Sequence, residues 1–175
     1  ISAVPFAHPL IDEWREPFKG VQYHHKPTNF LVFGAVDDLW IDPQGQILVV
    51  DYKATSTEQP ISLDNEYRQA YKRQIEIYQW LLRKQKLEVS DTGYFVYTNG
   101  RADLDAFNDR VEFRTKVIAY TGNDSWVEPT LKDMKKCMDG EMPAVGNSAM
   151  GGPCEFCEYA KARTKLTLEA VQKKK

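Results

Sequence analysis

The stretch Phe33-Gly-Ala-Val-Asp37-Asp38-Leu-Trp-Ile41, then Asp42-Pro-Gln-Gly45, then Gln46-Ile-Leu-Val-Val-Asp51-Tyr-Lys53 decides the fold. Two apolar segments flank an Asp-Pro-x-Gly turn, the pattern of two strands joined as a hairpin. Their near-continuous apolar character predicts a sheet covered on both faces. Acidic residues interrupt both segments, and a lysine follows the second aspartate by two. Side chains at i and i+2 of a strand share a face, so Asp51 and Lys53 stand side by side. If the strands pair, Asp37 comes near Asp51. Two carboxylates and a lysine at one point suit metal-dependent hydrolysis: the carboxylates hold a hard cation, and the lysine orients or deprotonates a water. Asp38 points to the other face and is expected to be a solvated or turn-side charge.

Outward from this hairpin, residues 10–18 read as a short helix stopped near Pro17. Residues 21–25 read as a strand and 26–29 as a turn. Residues 30–41 and 46–53 are the two strands of the hairpin, and 54–62 a polar loop. The strongest helix spans residues 63–86, free of Gly and Pro, with Ser62 or Asp64 as its cap. Tyr67, Tyr71, Gln74, Tyr78 and Leu82 recur on one of its faces. Strands follow at 92–97 and 111–120, then a helix at 125–138 with Ser125 as its cap. A Gly/Pro-rich segment from 140 to 153 leads to Cys154-Glu-Phe-Cys157 and a polar, basic end whose last lysines fray. This order predicts an α/β domain with a mixed central sheet flanked by helices.

The chain has 175 residues, 42% apolar and 27% charged, which suits one globular domain with a substantial core. A formal net charge of −2 gives no global attraction to nucleic acid, so such a partner needs a local basic patch. No apolar run approaches the ~20 residues that span a bilayer, and no membrane partner is expected. The opening Ile-Ser-Ala-Val-Pro carries no secretory pattern and no initiator Met, so residues before it are expected. Three cysteines, two of them in Cys-x-x-Cys, argue for a reducing, cytoplasmic compartment.

Gly34-x-x-Asp37, Asp51-x-Lys53 and Gln74-x-x-x-Tyr78 occur in that order, the first two on adjacent predicted strands and the third on the helix that follows. The set resembles the PD-(D/E)XK nuclease superfamily. Within it, the set is most similar to the RecB-like exonucleases, CRISPR-associated members included. The resemblance covers residues 21–96, with a looser echo at Cys154 and Cys157. It implies a restriction-endonuclease-like core and a single nuclease domain over 1–175, with a cysteine-containing C-terminal segment from about 137. It implies that Asp37, Asp51 and the backbone carbonyl of Tyr52 hold Mg²⁺ or Mn²⁺. Lys53 then holds the attacking water and stabilises charge on the phosphate, while Gln74 and Tyr78 position the scissile phosphate or a water. The branch often adds an upstream histidine ligand, for which His8 is the candidate; His24 and His25 read as ordinary strand residues. The blander reading of the charges is an Asp37–Lys53 ion pair at a sheet edge.

The branch often carries a four-cysteine iron–sulfur cluster. Cys154 and Cys157 match the start of that group, but Arg163 and Lys165 stand where another cysteine is expected. Cys137 lies too far upstream to replace it. The set is incomplete for a cluster or for zinc, so the cysteines are expected to pack as small apolar residues. Basic groups at Arg83, Lys84 and Lys86, at Lys132, Lys135 and Lys136, and at Lys161, Arg163 and Lys165 offer phosphate contacts, at most one of them to DNA. The expected activity is metal-dependent exonucleolytic hydrolysis of DNA, single-stranded or from ends. It belongs to recombination, repair or CRISPR-type processing, with a larger nuclease or recombination complex as partner. Two other readings stay open: a non-catalytic DNA-binding or assembly module that keeps the fold, and a cysteine-based redox or metal protein.

Overall fold

The Asp42–Gly45 turn forms by its own chemistry. Asp42 Oδ1 accepts the N–H groups of Gln44 (3.0 Å) and Gln46 (2.8 Å), and Gly45 takes φ +85°. The structure is a computed structural model that describes residues 1–64, 68–104, 109–141, 146–147 and 151–173. Its elements run β1 (Val4–Pro5), α1 (Ile11–Arg15), β2 (Val21–His25), β3 (Phe30–Gly34), β4 (Asp38–Ile41), β5 (Ile47–Thr55) and α2 (Gln69–Lys84). There follow β6 (Thr92–Gly100), β7 (Phe113–Thr121), a 3₁₀ turn (Asp124–Trp126), α3 (Val127–Asp139) and α4 (Glu155–Gln172). The chain divides into two compact units, Ile1–Leu131 and Lys132–Lys175. All three cysteines lie in the second.

The main sheet has the order β1-β4-β5-β6-β7, and β2 and β3 form a separate hairpin. Strands β4 and β5 are antiparallel, with Asp38 opposite Val50 and Ile41 opposite Ile47. Strands β5 and β6 are parallel, the geometry that a helical crossover allows, and α2 supplies it. The sheet is therefore mixed, as the order of elements predicted. Val49, Val50, Leu39, Phe95, Ile75, Leu81 and Leu82 are fully buried in its core. On α2, the buried Glu76 carboxylate accepts from Tyr120 Oη (2.6 Å), the Asn123 N–H (3.1 Å) and Trp126 Nε1 (2.7 Å). Those bonds tie β7 and the 3₁₀ turn to the helix and compensate a charge that burial alone would disfavour. Burial and that carboxylate push the Tyr120 hydroxyl up to about 12.

Several expectations change. The run 30–41 is two strands in two sheets, not one. Between them the Val36 N–H turns to the Trp14 carbonyl (3.0 Å) and its side chain is buried, which takes residues 35–37 out of both ladders. Coverage on both faces holds only for the first half of β5, because Tyr52 is half-exposed. Strands β5 and β6 extend past the expected ends to Thr55 and Gly100. Helix α2 starts at Gln69, and Tyr67 lies outside the described residues. Ser62 and Asp64 bond to each other (2.7 Å) and do not cap it. Asn123, not Ser125, caps the next helical segment, accepting the Ser125 N–H at 3.0 Å. Helix α4 was not expected at all; its Gly- and Pro-free sequence satisfies the backbone locally.

Candidate active site

Strand β5 presents Asp51 and Lys53 on the face covered by α2. Asp51 is 1% exposed. The Lys53 ammonium lies 2.5 Å from its Oδ2 and 3.4 Å from Gln74 Oε1. Gln74 in turn donates from Nε2 to the Tyr78 hydroxyl at 2.8 Å. Asp37 accepts the Tyr52 N–H at 2.9 Å, which fixes its carboxylate against the backbone of β5. The pairing is thus Lys53 with Asp51, not with Asp37, and the edge ion-pair reading of Asp37 does not hold.

The electrostatics show that these groups share one space. Burial raises the Asp51 carboxyl above its ordinary range; Lys53 opposes that shift and the neighbouring Asp37 adds to it. Burial also raises the Tyr78 hydroxyl, against the Gln74 hydrogen bond, and the charges of Asp37 and Asp51 raise it further. Asp51 Oδ1 is buried and has no donor among the described residues. An ionised oxygen so placed calls for a cation, and a second carboxylate beside it strengthens the demand. Magnesium-type ions are held by one or two carboxylates and keep several waters, so Asp37 and Asp51 fit such an ion. A larger ligand set is not present: no group of three His, Cys, Asp or Glu suited to a metal occurs among the described residues.

Glycine 34 belongs to this site for a steric reason. A Cβ there would stand 2.6 Å from Tyr78 Cε1, so the bare backbone lets the tyrosine ring lie against the end of β3. The Gly-x-x-Asp spacing therefore carries two roles, one in packing the helix and one in charge. Helix α2 contributes a residue the sequence reading did not place in the site. The Tyr71 ring lies 4.7 Å from the Lys53 ammonium, three residues before Gln74 on the same helical face, so periodicity could have found it.

With the geometry in place, the family comparison is decisive: a family model of the PD-(D/E)XK nuclease superfamily matches residues 6–162. The chain belongs to the PD-(D/E)XK nuclease superfamily. No curated protein matches it. The mixed sheet flanked by helices agrees with the restriction-endonuclease-like fold of this superfamily, whose members typically use divalent metals. Residues 6–162 include all three motifs of this nuclease-superfamily chain.

The remaining candidates have surroundings of their own. The His8 ring stacks on Trp14 (4.3 Å) and Phe6 (5.8 Å), and its Nδ1 accepts the Leu10 N–H. His24 Nε2 pairs with Asn29 Oδ1 at 2.8 Å. His25 is buried between Thr28 (2.7 Å) and Glu128 (2.8 Å). Asp38 faces away from Asp37, as alternation requires, but it is not a solvated charge. It is buried and accepts from Arg15, the Leu39 N–H (2.9 Å), Trp40 Nε1 (3.1 Å) and Tyr52 Oη (2.9 Å). Burial opposes its ionisation, but the bonds from Tyr52, Leu39, Arg15 and Trp40 outweigh that and hold the carboxyl below the usual range. Of the basic groups, Arg83 is taken up by Asp91 (2.6 Å) and Asp124 (2.7 Å), and Lys84 by Glu128 (2.5 Å). Cys137 is exposed, Cys154 and Cys157 half-buried, and all three are free. No helix among the described residues is long and apolar enough to cross a membrane.

Proposed function

We propose that this chain is a divalent-metal-dependent deoxyribonuclease of the RecB-like exonuclease type. It hydrolyses phosphodiester bonds of single-stranded DNA or DNA ends in recombination, repair or CRISPR-type processing. The observation that carries the reading is the buried Asp51, whose Oδ1 has no donor while Asp37 and Lys53 stand beside it. A structural ion pair would not leave a buried ionised oxygen unsatisfied. Asp37, Asp51 and the Tyr52 carbonyl would hold Mg²⁺ or Mn²⁺, which would supply charge neutralisation at the phosphoryl oxygen and a lowered pKa for a water. Lys53 holds the attacking water or a phosphate oxygen with the one N–H left over from Asp51 and Gln74. Gln74 fixes that ammonium through Oε1 and fixes Tyr78 through Nε2. The Tyr78 hydroxyl accepts from Gln74, so its own proton remains to donate to the phosphate. Positioned donors of this kind act where charge develops in the transition state. Exonuclease action and the RecB-like branch rest on the Gln74-x-x-x-Tyr78 pattern and on analogy.

The test is purified chain with Mg²⁺ or Mn²⁺ and end-labelled linear and closed circular single-stranded DNA. Progressive shortening of the linear strand, with circles spared, is the expected result. Asp51→Ala and Lys53→Ala lower cleavage by about 100-fold or more. Variants that cut as fast as the parent chain would sink the proposal.

A further inference from the structure

Strand β6 brings one more polar group to the face that carries Asp51 and Lys53. In the parallel β5–β6 ladder Lys53 pairs with Tyr97 and Asp51 with Phe95, and residues in register across a sheet share a face. Tyr97 is therefore the diagonal neighbour of Asp51 on that face, at a spacing that a long side chain reaches across. Its ring lies 6.4 Å from that of Phe95 and 5.3 Å from the Arg68 guanidinium, and the residue is 2% exposed.

The apolar ring suits this place; the hydroxyl does not. Tyr97 Oη is buried and has no hydrogen-bond partner among the described residues. Such a group costs about 1–3 kcal/mol, and phenylalanine would fill the same space without that cost. Asp51 Oδ1, across the ladder, is a second buried oxygen without a donor. The two share one electrostatic environment. Burial raises the Tyr97 hydroxyl, Arg68 opposes the shift, and Tyr71 and the Asp51 charge add to it. Tyr71 is the ring that lies 4.7 Å from the Lys53 ammonium. A hydrated cation satisfies both oxygens at once. Its charge meets the carboxylate, while a water that turns its lone pair to the ion points its O–H groups outward, where a hydroxyl oxygen accepts one.

On the metal-dependent reading above, we infer that Tyr97 is a positioning residue of the cation site, its hydroxyl accepting a hydrogen bond from a water of the ion that Asp51 holds. Tyr97 touches neither the ion nor the phosphate in this arrangement; it acts through the water and sets where that water stands. Partners of this outer kind are worth about 10–100-fold in metal affinity or activity. The plainer alternative is a structural water that donates to both oxygens with no ion present, and it predicts a different result.

The experiment compares the full chain with Tyr97→Phe, which removes the hydroxyl alone. Mn²⁺ is titrated without DNA and the free ion read by electron paramagnetic resonance; denaturant unfolding is followed in chelator. Tyr97→Phe is expected to bind Mn²⁺ about 10-fold more weakly, with a metal-free unfolding midpoint equal to the parent's or higher. Tyr94→Phe, whose ring stacks on Trp40 and belongs to the opposite face by register, binds Mn²⁺ as the parent does. Unchanged Mn²⁺ affinity in Tyr97→Phe overturns the inference, as does an equal loss in Tyr94→Phe or a parent that binds no Mn²⁺. A lower metal-free midpoint in Tyr97→Phe also overturns it, since the hydroxyl then has a partner without the ion. The two readings fail separately. A parent that cleaves DNA while Tyr97→Phe binds Mn²⁺ unchanged removes only the role of Tyr97. A Tyr97-dependent Mn²⁺ affinity in a chain that never cleaves supports that role and removes the nuclease reading.

Discussion

The ring of Tyr78 fills the place of a side chain at Gly34: a Cβ on Gly34 would lie 2.6 Å from Cε1 and 3.2 Å from Cδ1 of the tyrosine. Two motifs that are forty-four positions apart in the chain are thereby one packing unit. Gly34→Ala forces Tyr78 to move, and overpacking of this kind costs about 1–3 kcal/mol. The displaced hydroxyl also leaves Gln74, so cleavage falls along with stability. Denaturant unfolding of Gly34→Ala, Tyr78→Ala and the double variant checks the link. The double variant is expected to be more stable than the sum of the two single losses implies, by about 1 kcal/mol or more. Strict additivity would show that the two residues do not compete for space.

Asp37 and Asp38 are neighbours with opposite assignments, and their variants separate accordingly. Asp37→Asn keeps the fold within about 1 kcal/mol, since an amide oxygen still accepts the Tyr52 N–H and the charge beside Asp51 is removed, but it abolishes cleavage. Asp38→Ala removes the acceptor of the Arg15 guanidinium, Trp40 Nε1 and Tyr52 Oη and, with Arg15 and Tyr52 open to water, costs about 1–3 kcal/mol. The Asp38 carboxyl lies below its ordinary range, so its contribution is present above that range and is lost as pH falls through the lowered value. The gap between parent and Asp38→Ala accordingly narrows in strong acid. Thermal melts across pH, beside a cleavage assay, distinguish the two residues.

Asp51 carries the opposite sign. Its raised value means the folded chain binds that proton more tightly than the unfolded chain does. Its favourable contribution is fully present below the ordinary carboxylate range and is lost as pH rises through the raised value. In metal-free buffer, Asp51→Asn is therefore at least as stable as the parent at neutral pH, and the difference closes in acid. Melting temperatures measured against pH in chelator test this. A large loss of stability in Asp51→Asn at neutral pH would make Asp51 a structural residue.

Divalent ions should stabilise the parent chain by linkage. At a free ion concentration of about 100 times Kd, the expected gain is ~2.7 kcal/mol. The gain disappears in Asp37→Asn and Asp51→Asn, whose acceptor sets are incomplete. Thermal shift in Mn²⁺ or Mg²⁺, with calcium as a comparison, reads it without any substrate. Equal shifts in parent and variants would place the ion elsewhere.

The local parts of the site were legible because strand and helix periods are written in the chain. Alternation put Asp51 and Lys53 on one face and Asp38 on the other, and the four-residue spacing put Gln74 with Tyr78. The Asp-Pro-x-Gly turn fixed the hairpin that brings Asp37 to β5. Recognising Tyr71 needed only the same helical period. Other features had no local signal. Whether Asp38 was solvated depended on Arg15, Trp40 and Tyr52, which approach it through packing. That β3 and β4 belong to different sheets depended on Trp14 capturing the Val36 N–H.

By itself, then, the sequence determined which side chains meet at the centre, since residue type and spacing set what neighbouring elements present together. The tertiary structure alone decided that Lys53 pairs with Asp51 and that Asp51 Oδ1 stays without a donor among the described residues. Those outcomes depend on the register of strands far apart in the chain, and register is set by the mutual fit of buried surfaces, which no local pattern encodes.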